Sequence, residues 1–218
     1  MRQEASSHVR RYLVFSFLAI SVVVGLQACG MKPAPQESCN FVQNGDQQRV
    51  SWGAQTPVVM LIDSSVPAVF FDSIKDAAAV WNQAVGREII KIGGWTNAAS
   101  TSLPDGVNLI YFQRNWDGER TEQARTTIYW SGDRIYEADV KINERDFGFF
   151  SGSTPEPGKI DMESLLIHEF GHVLGLRHMV VAGSVMQPTL SGATVVNPSA
   201  GFRRNLTSDD KNSILCEY

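Results

Sequence analysis

Two hydrophobic periods divide this chain into elements. Pro57 to Asp63 (PVVMLID) is a short apolar run of strand formers and reads as a buried strand. From Pro67 the period lengthens. Phe70, Ile74, Ala77, Ala78, Trp81 and Val85 recur at three- and four-residue steps, and Gly86 follows as a stop. That spacing predicts an amphipathic helix with Pro67 near its first turn. Glu88 to Ile92 and Val107 to Phe112 are predicted strands on either side of a loop over 93–106. Arg125 to Trp130 and Ile135 to Ile142 flank Ser131-Gly132-Asp133-Arg134, a hairpin signal. Tyr136, Ala138, Val140 and Ile142 alternate with Glu137, Asp139 and Lys141, so the second arm has one wet side.

Asn143 to Lys159 is rich in glycine and proline and reads either as the rim of a site or as a plain connector. A second helix is predicted from Asp161. Met162, Leu166, Phe170 and Val173 form its back, with Leu165, Ile167 and Leu174 on its flanks. A helix apolar around most of its circumference belongs at the centre of its domain. Pro188 to Leu206 has no period and reads as a long loop. Thr207 is a predicted N-cap for a last helix, with Asp209 and Asp210 favouring its positive end.

The central helix carries the candidate chemistry. His168 and His172 are four residues apart, so a helix stacks them on one face. Glu169 points about 100° away from His168, beside a shared ion rather than on it. Gly175 can take the left-handed conformation that ends a helix, and His178 can then return as a third nitrogen. Three protein ligands leave a fourth tetrahedral position for water, which marks a catalytic zinc rather than a structural one. The chain has four histidines, and all but His8 lie in this stretch.

The 218 residues suit one domain behind an export segment. Arg2, Arg10 and Arg11 precede an apolar run from Tyr12 to Ala28, the pattern of a signal peptide over 1–28. A retained membrane anchor is the rival reading. Leu26-Gln27-Ala28-Cys29-Gly30 resembles the lipobox of bacterial lipoproteins, where lipid is added to the cysteine. On that resemblance Cys29 is the lipidation candidate, and 29–49 is a lipidated tether on the membrane. Gly30, not being an aspartate, directs such a protein to the outer membrane of a two-membraned cell. An ordinary secreted protein cut nearby is the alternative. The formal net charge is −4 and no basic cluster remains beyond the leader, which argues against nucleic-acid binding. Cys39 and Cys216 are left as a candidate disulfide in an oxidising compartment, with two independent thiols as the alternative. Residues 50–218 are the predicted catalytic domain.

The run His168-Glu169-Phe170-Gly171-His172-Val173-Leu174-Gly175-Leu176-Arg177-His178, with the order of elements around it, resembles the metzincin zinc peptidases. Within that clan it is most similar to the matrixins. Ser184-Val185-Met186-Gln187-Pro188 resembles the matrixin Met-turn, and Leu206 to Asp210 resembles the start of the last matrixin helix. The resemblance implies an α+β fold: a twisted, mostly parallel sheet with one antiparallel edge strand, an active-site helix and a small C-terminal subdomain. It implies one catalytic Zn²⁺ on His168, His172 and His178, with Met186 as an apolar floor, although an ordinary core methionine would read the same way. A monomer is its default.

The chain departs from the family at several points. Cys39 lacks the cysteine-switch surroundings, and the histidines of a second, structural zinc are missing. Gln187 and Met179 replace a tyrosine and a serine. Structural Ca²⁺ stays open through aspartates and backbone oxygens, with no ligands assigned.

The expected reaction is hydrolysis of a peptide bond by zinc-activated water, with Glu169 as general base. The substrate is expected extended along the edge strand at Arg125 to Trp130, a mode that favours endoproteolysis. The Pro188 to Leu206 loop is expected to shape the main side-chain pocket. The competing classes are a zinc-containing binding module without catalysis and a structural envelope lipoprotein. Intact Glu169 argues against the first, since zinc binding alone does not need it.

Overall fold

The computed structural model describes residues 33–97, 104–188 and 202–218. The predicted leader 1–28, Cys29 and most of the Pro188 to Leu206 loop lie outside the described residues. From Pro33 onward the chain is one compact unit.

Five strands form the main sheet: β1 (Val58–Asp63), β2 (Ile90–Thr96), β3 (Leu109–Gln113), β4 (Ala124–Ser131) and β5 (Arg134–Asn143). Their spatial order is β2-β1-β3-β5-β4. The β1–β2, β1–β3 and β3–β5 pairs are parallel, and β4 alone runs antiparallel, against β5. The strand that ends the sheet therefore has one free edge. The β4–β5 hairpin turns at Gly132, whose φ of 62° is left-handed.

Helix α1 (Phe71–Val85) follows a single 3-10 turn at Ala68–Phe70 and ends at Gly86, φ 78°. Its buried face is Ile74, Ala77, Ala78 and Trp81. The Asn82 side chain accepts from the N–H groups of Ile89 and Ile90, which locks the turn into β2. Trp81 is fully buried and donates its indole N–H to the Ile167 carbonyl at 2.8 Å. That bond joins α1 to α2 (Met162–Val173), and truncating such a tryptophan costs about 3–5 kcal/mol. Helix α2 is buried on nearly every side, as its composition predicts.

Two strand boundaries differ from the expectation. β2 begins at Ile90 and continues through Gly93 and Gly94 to Thr96. Gly93 fits because a Cβ there would collide with Leu61 and Val59, and the β1–β2 register shifts between Met60 and Leu61. The Asn143 to Lys159 segment is also more than a connector. It holds β6 (Gly148–Phe150), which pairs in parallel with β7 (Lys159–Asp161) just before α2.

The stretch before Arg49, read from sequence as a tether, is folded into the domain from Pro33. Phe41 and Val50 are fully buried, and Phe41 bridges antiparallel to Leu176. Val42 donates to the Gly175 carbonyl at 2.9 Å and Arg177 donates to that of Asn40 at 2.8 Å. Cys39 is disulfide-bonded to Cys216, just beyond α3 (Ser208–Ile214). Few apolar residues were needed because one buried ring, a backbone ladder and a covalent link hold the segment.

Candidate metal centre

The site is built on α2. Asp161 caps it, accepting from the Ser164 N–H at 3.1 Å and its hydroxyl at 2.6 Å. Arg204 clamps the same carboxylate and also reaches Glu163. Helical spacing then places His168 and His172 on one face. Gly175, at φ 100°, turns the chain away where a Cβ would overlap the Val50 carbonyl oxygen. The turn brings His178 back, and the three imidazoles stand with centroids 4.7 to 5.1 Å apart.

The ring nitrogens decide what this cluster can hold. His168 Nδ1 lies 2.6 Å from the Val185 carbonyl oxygen, and His172 Nδ1 lies 2.8 Å from that of Leu176. A carbonyl only accepts, so each Nδ1 carries the proton and each Nε2 is bare. His168 Nε2 is 3.2 Å from the Nε2 of both His172 and His178. The bare nitrogens of His168 and His172 have no proton to share. Two nitrogens bound at 2.0–2.1 Å to one tetrahedral ion sit about 3.3 Å apart, so the spacing fits a metal. Burial pushes His168 and His172 down to about 4, and pushes His178 down as well. Neutral rings are what ligation requires. Among the described residues this is the group of histidines, cysteines and carboxylates that could hold an ion.

Glu169 is buried beside the cluster. Burial pushes its carboxyl up, opposed by His172 and by the Thr126 hydroxyl, which donates to Oε2 at 2.6 Å. Met186 is fully buried against α2 at Gly171, where a Cβ would overlap its Sδ. The turn carrying Met186 is held by the buried carboxylate of Asp210, which accepts from the Ser184 hydroxyl at 2.6 Å and the Val185 N–H at 3.2 Å. Asp210 also closes a capping box with Thr207, the expected N-cap. A cleft of about 590 Å³ runs between α2 and β4, reaching His178, Pro188 and Val42.

The structure thus brings His168, Glu169, His172, His178 and Met186 together, and it joins Cys39 to Cys216. Cys29 lies outside the described residues. Sequence reasoning missed the parts played by Thr126 and Asn40, and the contacts by which Asp210 and Val185, named there only as a helix-start acid and as part of the Met-turn, hold His168. The Asp210 signal was visible as an acidic residue three after an N-cap threonine, the spacing of a capping box. The other three act through tertiary register and leave no local mark.

A buried HExxH helix with a returning third histidine, set below the antiparallel edge strand of a mixed sheet, defines a metal centre of the zincin class. The matrixin family model matches residues 72–218, and the chain belongs to that family. It is similar to matrix metalloproteinase-25 of Mus musculus, 33% identical over 108 residues, covering 50% of this chain and 17% of that protein. It is also similar to Metalloendoproteinase 2-MMP of Arabidopsis thaliana, 29% identical over 152 residues, covering 66% of this chain and 37% of that protein. The chain therefore spans well under half the length of either relative.

Proposed function

We propose that this chain is a zinc-dependent endopeptidase. The observation that carries the reading is the convergence of three neutral imidazoles with a buried carboxylate at their side. His168, His172 and His178 would hold the zinc. When bound, the ion supplies a water of lowered pKa and polarises the scissile carbonyl. Glu169 accepts the proton of the attacking water and returns it to the leaving amine. Burial pushes that carboxyl up from its ordinary range, which makes it a readier proton acceptor.

The β4 edge would hold the substrate. Asn143 N–H donates to the Gln123 carbonyl, which makes those two residues a hydrogen-bonded pair. Alternation along β4 then turns the backbone groups of Ala124, Thr126 and Ile128 towards the free edge. An extended peptide can add there as a further strand without needing a free terminus.

We further propose export, with lipid on Cys29 holding the domain at the envelope. The support is the lipobox-like run and a disulfide that needs an oxidising compartment. Cys29→Ser should abolish incorporation of labelled fatty acid; undiminished labelling removes this part.

The central test is Glu169→Ala. One zinc per chain should be retained, while cleavage of a proteome-derived peptide library falls by roughly 10²- to 10⁴-fold. A zinc-loaded wild-type protein that cleaves no peptide would overturn the reading in favour of a binding module.

A further inference from the structure

We propose that Thr126 is a positioning residue for this reaction: it registers the Glu169 carboxylate to the strand that holds the substrate. The proposal rests on the endopeptidase reading and adds a residue to it.

Thr126 lies on β4 opposite Val140, and its side chain faces α2. Its single hydroxyl proton has two acceptors in reach, the Glu169 carboxylate oxygen Oε2 at 2.6 Å and the Glu169 carbonyl at 3.2 Å. The charged and nearer oxygen is the stronger acceptor. Among the described residues no other side chain donates to this carboxylate. Oε2 is therefore held by this hydroxyl, on the strand that carries the free edge. A β-branched side chain has few χ1 choices, so the hydroxyl is held at little entropic cost.

The same residue belongs to the row Ala124, Thr126 and Ile128, whose backbone turns to the free edge. The general base and the substrate rail are thus tied through one side chain. A peptide aligned on β4 is aligned to Glu169 by the same act. This is the kind of pre-set geometry that raises turnover without tightening ground-state binding.

The test compares Thr126→Val, which keeps the shape and removes the hydroxyl, with Thr126→Ser, which keeps the hydroxyl. Three readouts are needed: kcat and KM on a cleaved peptide, zinc per chain, and the unfolding midpoint of metal-free protein alone and with Glu169→Ala. Thr126→Val should lower kcat roughly ten- to a hundredfold, the worth of a charge-assisted hydrogen bond, with KM within about twofold and one zinc retained. Thr126→Ser should return kcat to within about threefold of wild type. In metal-free protein the midpoint penalty of Thr126→Val should shrink once Glu169 is alanine, leaving at most the weaker bond to the backbone carbonyl of residue 169. An unchanged kcat in Thr126→Val, a loss that serine does not rescue, or an equal midpoint penalty without Glu169 would each overturn the proposal. A wild-type protein that cleaves nothing would count against the endopeptidase reading, while the midpoint cycle would still report whether the Thr126–Glu169 contact exists.

Discussion

Breaking the Cys39–Cys216 link should weaken both the fold and its hold on metal. The bridge spans 177 residues. In the chain-entropy account, closing so long a loop disfavours the unfolded state by about 5 kcal/mol, and native disulfides typically deliver about 2–5. The native state also loses a brace. Cys39 immediately precedes Asn40, whose carbonyl accepts from Arg177 N–H and whose side chain donates to the Arg177 carbonyl at 2.8 Å. Those bonds pin the turn that delivers His178. The assay is urea unfolding followed by tryptophan fluorescence, in oxidised protein and in the Cys39→Ser/Cys216→Ser variant, each stripped of metal. The midpoint should fall by an amount worth about 2–5 kcal/mol, and the slope m should rise because the unfolded chain expands further. Zinc affinity, read by competition with a chelator, should fall in the same variant. Coincident unfolding curves and equal zinc affinity would refute the reasoning, because the N-terminal segment would then lie outside the cooperative unit.

Two further outcomes follow from particular residues. Gly175→Ala puts a side chain at φ 100° into the Val50 carbonyl and should cost about 3 kcal/mol, with weaker zinc binding, read by calorimetry and metal titration. An unchanged melting temperature would refute that account of the turn. Burial pushes Asp139 up to about 6, with Glu137 and Asp105 adding to the effect. The folded protein thus holds a proton there that the unfolded chain releases near 4, so this stability is full below pH 4 and lost as pH rises through about 6. Asp139→Asn should flatten that decline and add about 1 kcal/mol at pH 8 after screening by water, measured by unfolding across pH 4–8. A variant with the wild-type pH dependence would sink it.

The parts legible in sequence are those whose physics is local. Helix α1 follows from its apolar spacing and Gly86, the start of α2 near Asp161 from the apolar positions that begin at Met162, and the start of α3 from the N-cap Thr207. The β4–β5 hairpin follows from alternation around Gly132. The spacing of His168, His172 and His178 pointed to one ion, and the rings do converge. What stayed hidden depends on distant partners. β6 and β7 are three residues each and become strands only by finding one another. Gly93 looks like part of a loop until Leu61 and Val59 are seen to need the room. The segment from Pro33 looks like a tether because Phe41 gives no hint that it will be roofed by Tyr218 and paired with Leu176.

Asp210 has a consequence that reaches beyond its own helix. Its carboxylate gathers four donors, from Ser184, Val185 and both polar groups of Thr207, and the Val185 carbonyl in turn takes the proton of His168 Nδ1. The tautomer of the deepest imidazole is thus set by a residue in the final helix. A nascent or clipped chain ending before Thr207 would own all three histidines and lack the group that aims the first of them. Readiness to take up metal would therefore depend on the docking of the segment that begins at Thr207.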